Sequence, residues 1–106
     1  IFMATKQGEF DDFLVPQLGR LTADAVFGDL WEQPELSKRD RRLITVAITM
    51  ALYRTQEIKS HMKFAHINGV TTEELKGIVT HVAFYSGWPC GVNGQRVLKE
   101  VLDEAN

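Results

Sequence analysis

Glu57 stands four residues before His61, and a second imidazole, His66, follows five residues after the first, within YRTQEIKSHMKFAHING at 53–69. Side chains one helical turn apart are neighbours, so a carboxylate at 57 can reach the imidazole at 61. A carboxylate bonded to one ring nitrogen fixes the tautomer and raises the pKa of the ring. Such a pair can give and take a proton near neutral pH. Ile58, Met62 and Ala65 form an apolar stripe beside His61, which predicts that the ring faces the interior. The same pair on a solvated helix face would add only about 0.2–0.5 kcal/mol and do no chemistry. The spacing fits both readings.

His81 and Tyr85 repeat the four-residue step and flank Ile78 and Val82. If the helices carrying His61 and His81 pack as an antiparallel hairpin, the two imidazoles line one cavity. The alternative is a core-edge histidine bonded to a backbone carbonyl, with Tyr85 as an amphipathic rim residue. His66 shares a face with Lys59 and Lys63 and reads as solvated. His61 and His66 miss the i, i+4 spacing that sets two ligands on one helix face, so no metal is expected. A lone cysteine, Cys90, excludes an internal disulfide, a CxxC pair and a cysteine zinc site. It falls near a helix N-terminus, where thiol pKa drops, although a single cysteine also serves as a small buried hydrophobe. No segment offers a serine triad or a phosphate-cradling glycine loop.

The elements that must position these groups read as helical throughout, with short loops and no sustained strand alternation. FDDFLVPQLGRLTADAVFGDL, at 10–30, predicts one or two helices, started or interrupted at Pro16. Ser37 and Asp40 resemble a capping box ahead of LITVAITMAL, a run apolar on nearly every face. Such a helix is central, or shared with another subunit. A third helix is expected from Thr55 to Asn68, stopped at Gly69. A fourth is capped by Thr71 with Glu74 and stopped at Gly87. The last has Pro89 in its first turn and a stripe of Val92, Val97, Leu98, Val101 and Leu102. Gly91 and Gly94 either weaken it or let another helix approach closely. The expected architecture is an all-α bundle of five to six helices forming one domain over 1–106. Too few large side chains remain to enclose the second helix, so a homo-oligomer is expected.

The totals narrow the function classes. An apolar fraction of 44% and a charged fraction of 25% are ordinary for a globular chain. A net charge of −2 with interspersed signs gives no footprint for nucleic acid or an anionic membrane. No apolar run matches a membrane span. IFMATKQGEF lacks the pattern of a secretory signal, and a cytoplasmic protein is expected. A start at Ile1 suggests a chain that begins inside a longer sequence.

VFGDLWEQPELSKRDRRLITVAITMAL followed by EIKSHMKFAHINGVTTEELKGIVTHVAFYSGWP resembles the carboxymuconolactone decarboxylase family over about residues 26–102. The resemblance rests on Leu36-Ser37, Arg39-Asp40-Arg41, Glu57, His61, Ala65 and Asn68-Gly69, then Thr72, Glu74-Leu75, His81, Tyr85, Gly87 and Pro89. It implies an alkylhydroperoxidase-like helical fold and homo-oligomers, often hexamers built from trimers or dimers. It also implies two chemistries. One branch removes CO2 from a carboxylated muconolactone in aromatic catabolism without metal or organic cofactor. The other uses a CxxCxxxH relay with an upstream glutamate. On that alignment His61 is the relay histidine, Arg54 and Glu57 replace the cysteines, and the glutamate position falls near Arg42. With both thiols gone, a dithiol peroxidase mechanism is physically unavailable.

The decarboxylase branch implies that Glu57 orients His61, which hands a proton to carbon. His81 would steady the enolate or place the substrate carboxylate. Arg41 or Arg54 would hold a carboxylate bidentately, or else serve as helix-start solvation and a surface ion pair. Two other readings stay open: a non-dithiol oxidoreductase or stress protein using the same pocket, and a non-catalytic oligomeric binding protein. A pocket filled by side chains, with Glu57 and His61 in open solvent, would favour the last.

Overall fold

The computed structural model describes residues 10–105; the nine residues before Phe10, where no secretory signal is expected, lie outside them. Among the described residues the fold is all-helical, as the periodicity predicts. Helix α1 spans Pro16–Leu21 and runs directly into a π-helical turn, Thr22–Phe27. A 3-10 turn, Leu30–Glu32, leads to α2 (Lys38–Ala51), α3 (Thr55–Ile67), α4 (Thr72–Ser86) and α5 (Trp88–Ala105). Among the described residues, no helix is long and apolar enough to cross a membrane.

The punctuation follows the residue chemistry. Pro16, which lacks an N–H to donate, opens α1. The Ser37 hydroxyl accepts from the Asp40 N–H at 3.0 Å and caps α2. Thr71 and Glu74 form a reciprocal capping box at α4, with bonds of 2.9 and 3.1 Å. Arg39 of α2 donates to the same Glu74 carboxylate and joins the first turns of two helices. Gly69 ends α3 at φ 99° and Gly87 ends α4 at φ 113°, left-handed geometry that suits glycine.

The core is built from Val46 and Met50 of α2, Ile58, Met62 and Ala65 of α3, Leu75 and Val82 of α4, and Val97, Leu98 and Val101 of α5. Helix α2 contributes to it without being enclosed, since its Ile44 and Ile48 remain exposed. Helices α2 and α5 occupy the centre; α3 packs on both, and α4 packs on both. The hairpin of α3 against α4 is not formed. Its place is taken by α5, whose glycines permit unusually close approach. A Cβ on Gly91 would lie 2.4 Å from the Cβ of Ala83 in α4, and one on Gly94 would lie 2.5 Å from the sulfur of Met50 in α2. Asn93, buried among apolar side chains, donates to the Thr55 hydroxyl at 3.2 Å and ties α5 to the first turn of α3.

Candidate active site

Helix α3 turns Ile58, Met62 and Ala65 fully inward. His61 lies at the edge of that stripe and is partly buried. It faces a hollow of about 240 Å³ whose walls are Val26, Phe27, Leu30 and Trp31 from the turns after α1, Thr45 from α2, and His61 and Phe64 from α3. Phe27 stacks on Trp31 with ring centroids 6.1 Å apart, which stiffens the aromatic wall. The lining is mainly apolar with a hydroxyl and an imidazole among it, the usual make-up of a small-ligand site. The volume lies below the roughly 300–1,000 Å³ typical of drug-sized ligands and suits a small metabolite.

Two opposing effects set the proton affinity of His61. Burial against the apolar wall lowers its pKa, and the negative charge of Glu57 raises it by less, so the ring sits below its ordinary value of 6.5. The sequence accounts for the Glu57 contribution and its sign. The apolar stripe beside His61 also anticipates that the ring faces inward, but not which wall it meets, because that wall belongs to a segment some thirty residues upstream.

The other candidates lie elsewhere. His81 is exposed, stacks on Tyr85 at 4.6 Å between centroids, and borders a second hollow of about 360 Å³ with Leu43, Ala47, Glu74, Gly77, Ile78 and Val82. The two hollows share no lining residue. Within one chain, then, His61 and His81 do not line a common cavity, because α2 and α5 stand between their helices. Arg41 donates to the Gln33 carbonyl at 3.2 Å and braces the loop before α2. Arg54 is exposed at the start of α3. His66 departs from its solvated reading: it is partly buried and its Nδ1 donates to the Val70 carbonyl at 3.1 Å, closing the turn after α3. Cys90, partly buried, donates to the Ala51 carbonyl at 3.5 Å and belongs to neither hollow. Among the described residues, no group of three or more His, Cys, Asp or Glu side chains could hold a metal ion.

Sequence reasoning missed Arg42. Its guanidinium lies 5.0 Å from the ring centroid of Phe64, in the wall of the His61 hollow. The available signal was the family alignment, which set the relay glutamate's position near Arg42.

The model of the carboxymuconolactone decarboxylase family matches residues 16–100. This chain belongs to that family. A 4-carboxymuconolactone decarboxylase from Acinetobacter baylyi is 33% identical over 78 residues, which are 74% of this chain and 58% of that protein. A nitrosuccinic acid decarboxylase from Metarhizium robertsii is 27% identical over 84 residues, which are 79% of this chain and 59% of that protein. The chain therefore spans under three fifths of the length of these curated relatives. As a carboxymuconolactone decarboxylase family member, it carries Glu57, His61 and the whole His61 hollow inside the matched span.

Proposed function

We propose that the chain is a cofactor-independent decarboxylase of a small carboxylated acid, a carboxylated lactone such as 4-carboxymuconolactone being the first choice. The observation that carries this reading is a partly buried imidazole in a small, mainly apolar hollow, within the field of a carboxylate one turn away.

Loss of CO2 breaks one C–C bond and leaves its electron pair on carbon. In a carboxylated lactone that pair delocalises into the conjugated lactone carbonyl as a dienolate. In nitrosuccinic acid, named for one relative, the nitro group is the equivalent electron sink. Both carbanions then need one proton on carbon. Protonated His61 donates it: its N–H bond breaks, a C–H bond forms, and the ring is left neutral until water restores the proton. Burial holds His61 below 6.5. An anionic substrate beside the ring favours its charged form and draws in the proton that the reaction consumes. Glu57 orients the ring and offsets part of the burial.

The test is CO2 release from 4-carboxymuconolactone by the wild type and by His61→Gln. Removing a general acid typically costs about 10²–10⁴-fold, so kcat should fall by roughly that much. Glu57→Gln should cost less, because it orients rather than reacts. An inert wild type, or a His61→Gln variant with full turnover, would refute the reading.

A further inference from the structure

We propose that Trp31 is a further catalytic residue: its indole N–H donates to the substrate oxygen that takes up negative charge as CO2 leaves. This rests on the decarboxylase reading and fills a role that Glu57 and His61 leave open.

Electron flow defines that role. The pair freed by C–C cleavage moves into the adjacent conjugated group and comes to rest on an oxygen, of a carbonyl or a nitro group. It returns to carbon when His61 delivers its proton there. Between the two steps that oxygen is an anion. A donor aimed at it stabilises the transition state more than the ground state, where the oxygen is a weaker acceptor. His61 cannot serve both ends, since its proton goes to carbon.

The walls of the hollow leave one side chain for the oxygen. Only Thr45, His61 and Trp31 among its lining side chains carry a polar hydrogen. The Thr45 hydroxyl donates to the Arg41 carbonyl at 2.7 Å. Trp31 is partly buried and stacks on Phe27, and its indole N–H has no hydrogen-bond partner among the described residues. The other candidates stand outside this wall. Arg41 donates to the Gln33 carbonyl, Arg42 lies over the Phe64 ring without lining the hollow, and His81 borders the second hollow.

Local structure holds the donor in place before the reaction. The 3-10 turn carrying Trp31 is closed by the Gln33 N–H on the Leu30 carbonyl at 3.3 Å, and Arg41 and the Lys38–Glu32 pair, at 2.9 Å, tie it to the start of α2. Stacking on Phe27 fixes the ring plane without using the N–H. An indole N–H is a donor only and keeps its proton, so the step needs no second proton transfer.

Two measurements test the assignment. The first is turnover of 4-carboxymuconolactone by Trp31→Phe and by protein carrying benzothienylalanine at 31, which keeps the shape of the indole and replaces its N–H with sulfur. In both, kcat should fall by about 10²-fold, the scale of one oxyanion donor, with KM within about threefold of wild type. Full kcat in the benzothienylalanine protein, or a loss confined to KM, overturns the proposal. The second needs no turnover. Trp88→Phe leaves Trp31 as the sole tryptophan of the two in the chain, and adding His61→Gln prevents protonation of a bound anion. Titrating that protein with propanoate 3-nitronate, a stable carbanion equivalent with its charge on oxygen, should move the indole N–H proton resonance downfield. The neutral nitro group of 3-nitropropanoate should move it less. A resonance that the nitronate leaves in place overturns the proposal. A downfield shift in a protein whose wild type is inert toward 4-carboxymuconolactone would uphold the oxyanion site and reject the decarboxylase reading.

Discussion

His61 couples acid stability to chemistry. Its folded pKa is below the ordinary 6.5, so the unfolded chain binds the proton more readily. The contribution of the neutral ring is complete above about pH 6.5 and is lost as pH falls through the lower folded value. Glu74 acts at a lower range. The bond from the Thr71 backbone, then that from Arg39, holds it below its ordinary 4.5, so its contribution is present above that pH and fades as the carboxylate protonates. Denaturant melts between pH 7 and 3 should show stability falling first in the His61 window and again below about 4.5. His61→Gln should flatten the upper loss only. The same shift predicts the rate profile. Values of kcat/KM should decline as pH rises through the free-enzyme pKa of His61, below 6.5, whereas kcat should hold to higher pH because bound anion raises the pKa. Identical profiles for wild type and His61→Gln would remove the ring from the proton transfer.

The helices owe their placement to contacts that small residues permit. Gly91 lets α5 lie against Ala83 of α4: an added Cβ would stand 2.4 Å from that methyl carbon and 3.0 Å from its Cα. Since backbone cannot yield as a side chain tip can, Gly91→Ala should destabilise by about 1–3 kcal/mol, the usual range for overpacking. Adding Ala83→Gly should recover part of that loss despite its own helix-propensity cost of about 1 kcal/mol. A double-mutant cycle read by urea unfolding checks the coupling, and strict additivity would show that the two helices do not compete for that space. At the other end of the site, the π-helical turn sets Val26 and Phe27 at the hollow, and the 3-10 turn adds Leu30 and Trp31. Short irregular helices of this kind often mark functional regions.

At the scale of the molecule, the bundle leaves apolar surface uncovered. Ile44 and Ile48 of α2 and Leu52 just after it are exposed, while Phe84 is 73% and Trp88 64% exposed around the junction of α4 and α5, their rings 5.8 Å apart edge to face. Large side chains grouped in this way signal association rather than a solvated exterior. Sedimentation should give a mass that is a multiple of the 12.0 kDa chain. Phe84→Asp or Ile48→Asp should lower that mass with helix content retained. A single-chain mass for the unaltered protein at micromolar concentration would contradict this.

What the residues by themselves determined is local. Periodicity and capping chemistry set helices α2 to α5 nearly to their ends, because Ser37, Thr71 with Glu74, Gly69 and Gly87 act through bonds and dihedrals within a few residues. The one-turn step fixed Glu57 beside His61 for the same reason. Family membership was also legible, since ordered motifs at fixed spacing survive without any knowledge of packing. Tertiary structure decided everything that joins distant segments. It put α5 between α3 and α4 and so kept His61 from His81. It brought the turns after α1 over His61, where desolvation outweighs Glu57. It set the guanidinium of Arg42 over the ring of Phe64, a wall residue of the same hollow. Burial and charge pairing depend on which surfaces meet, and no spacing along one helix specifies that.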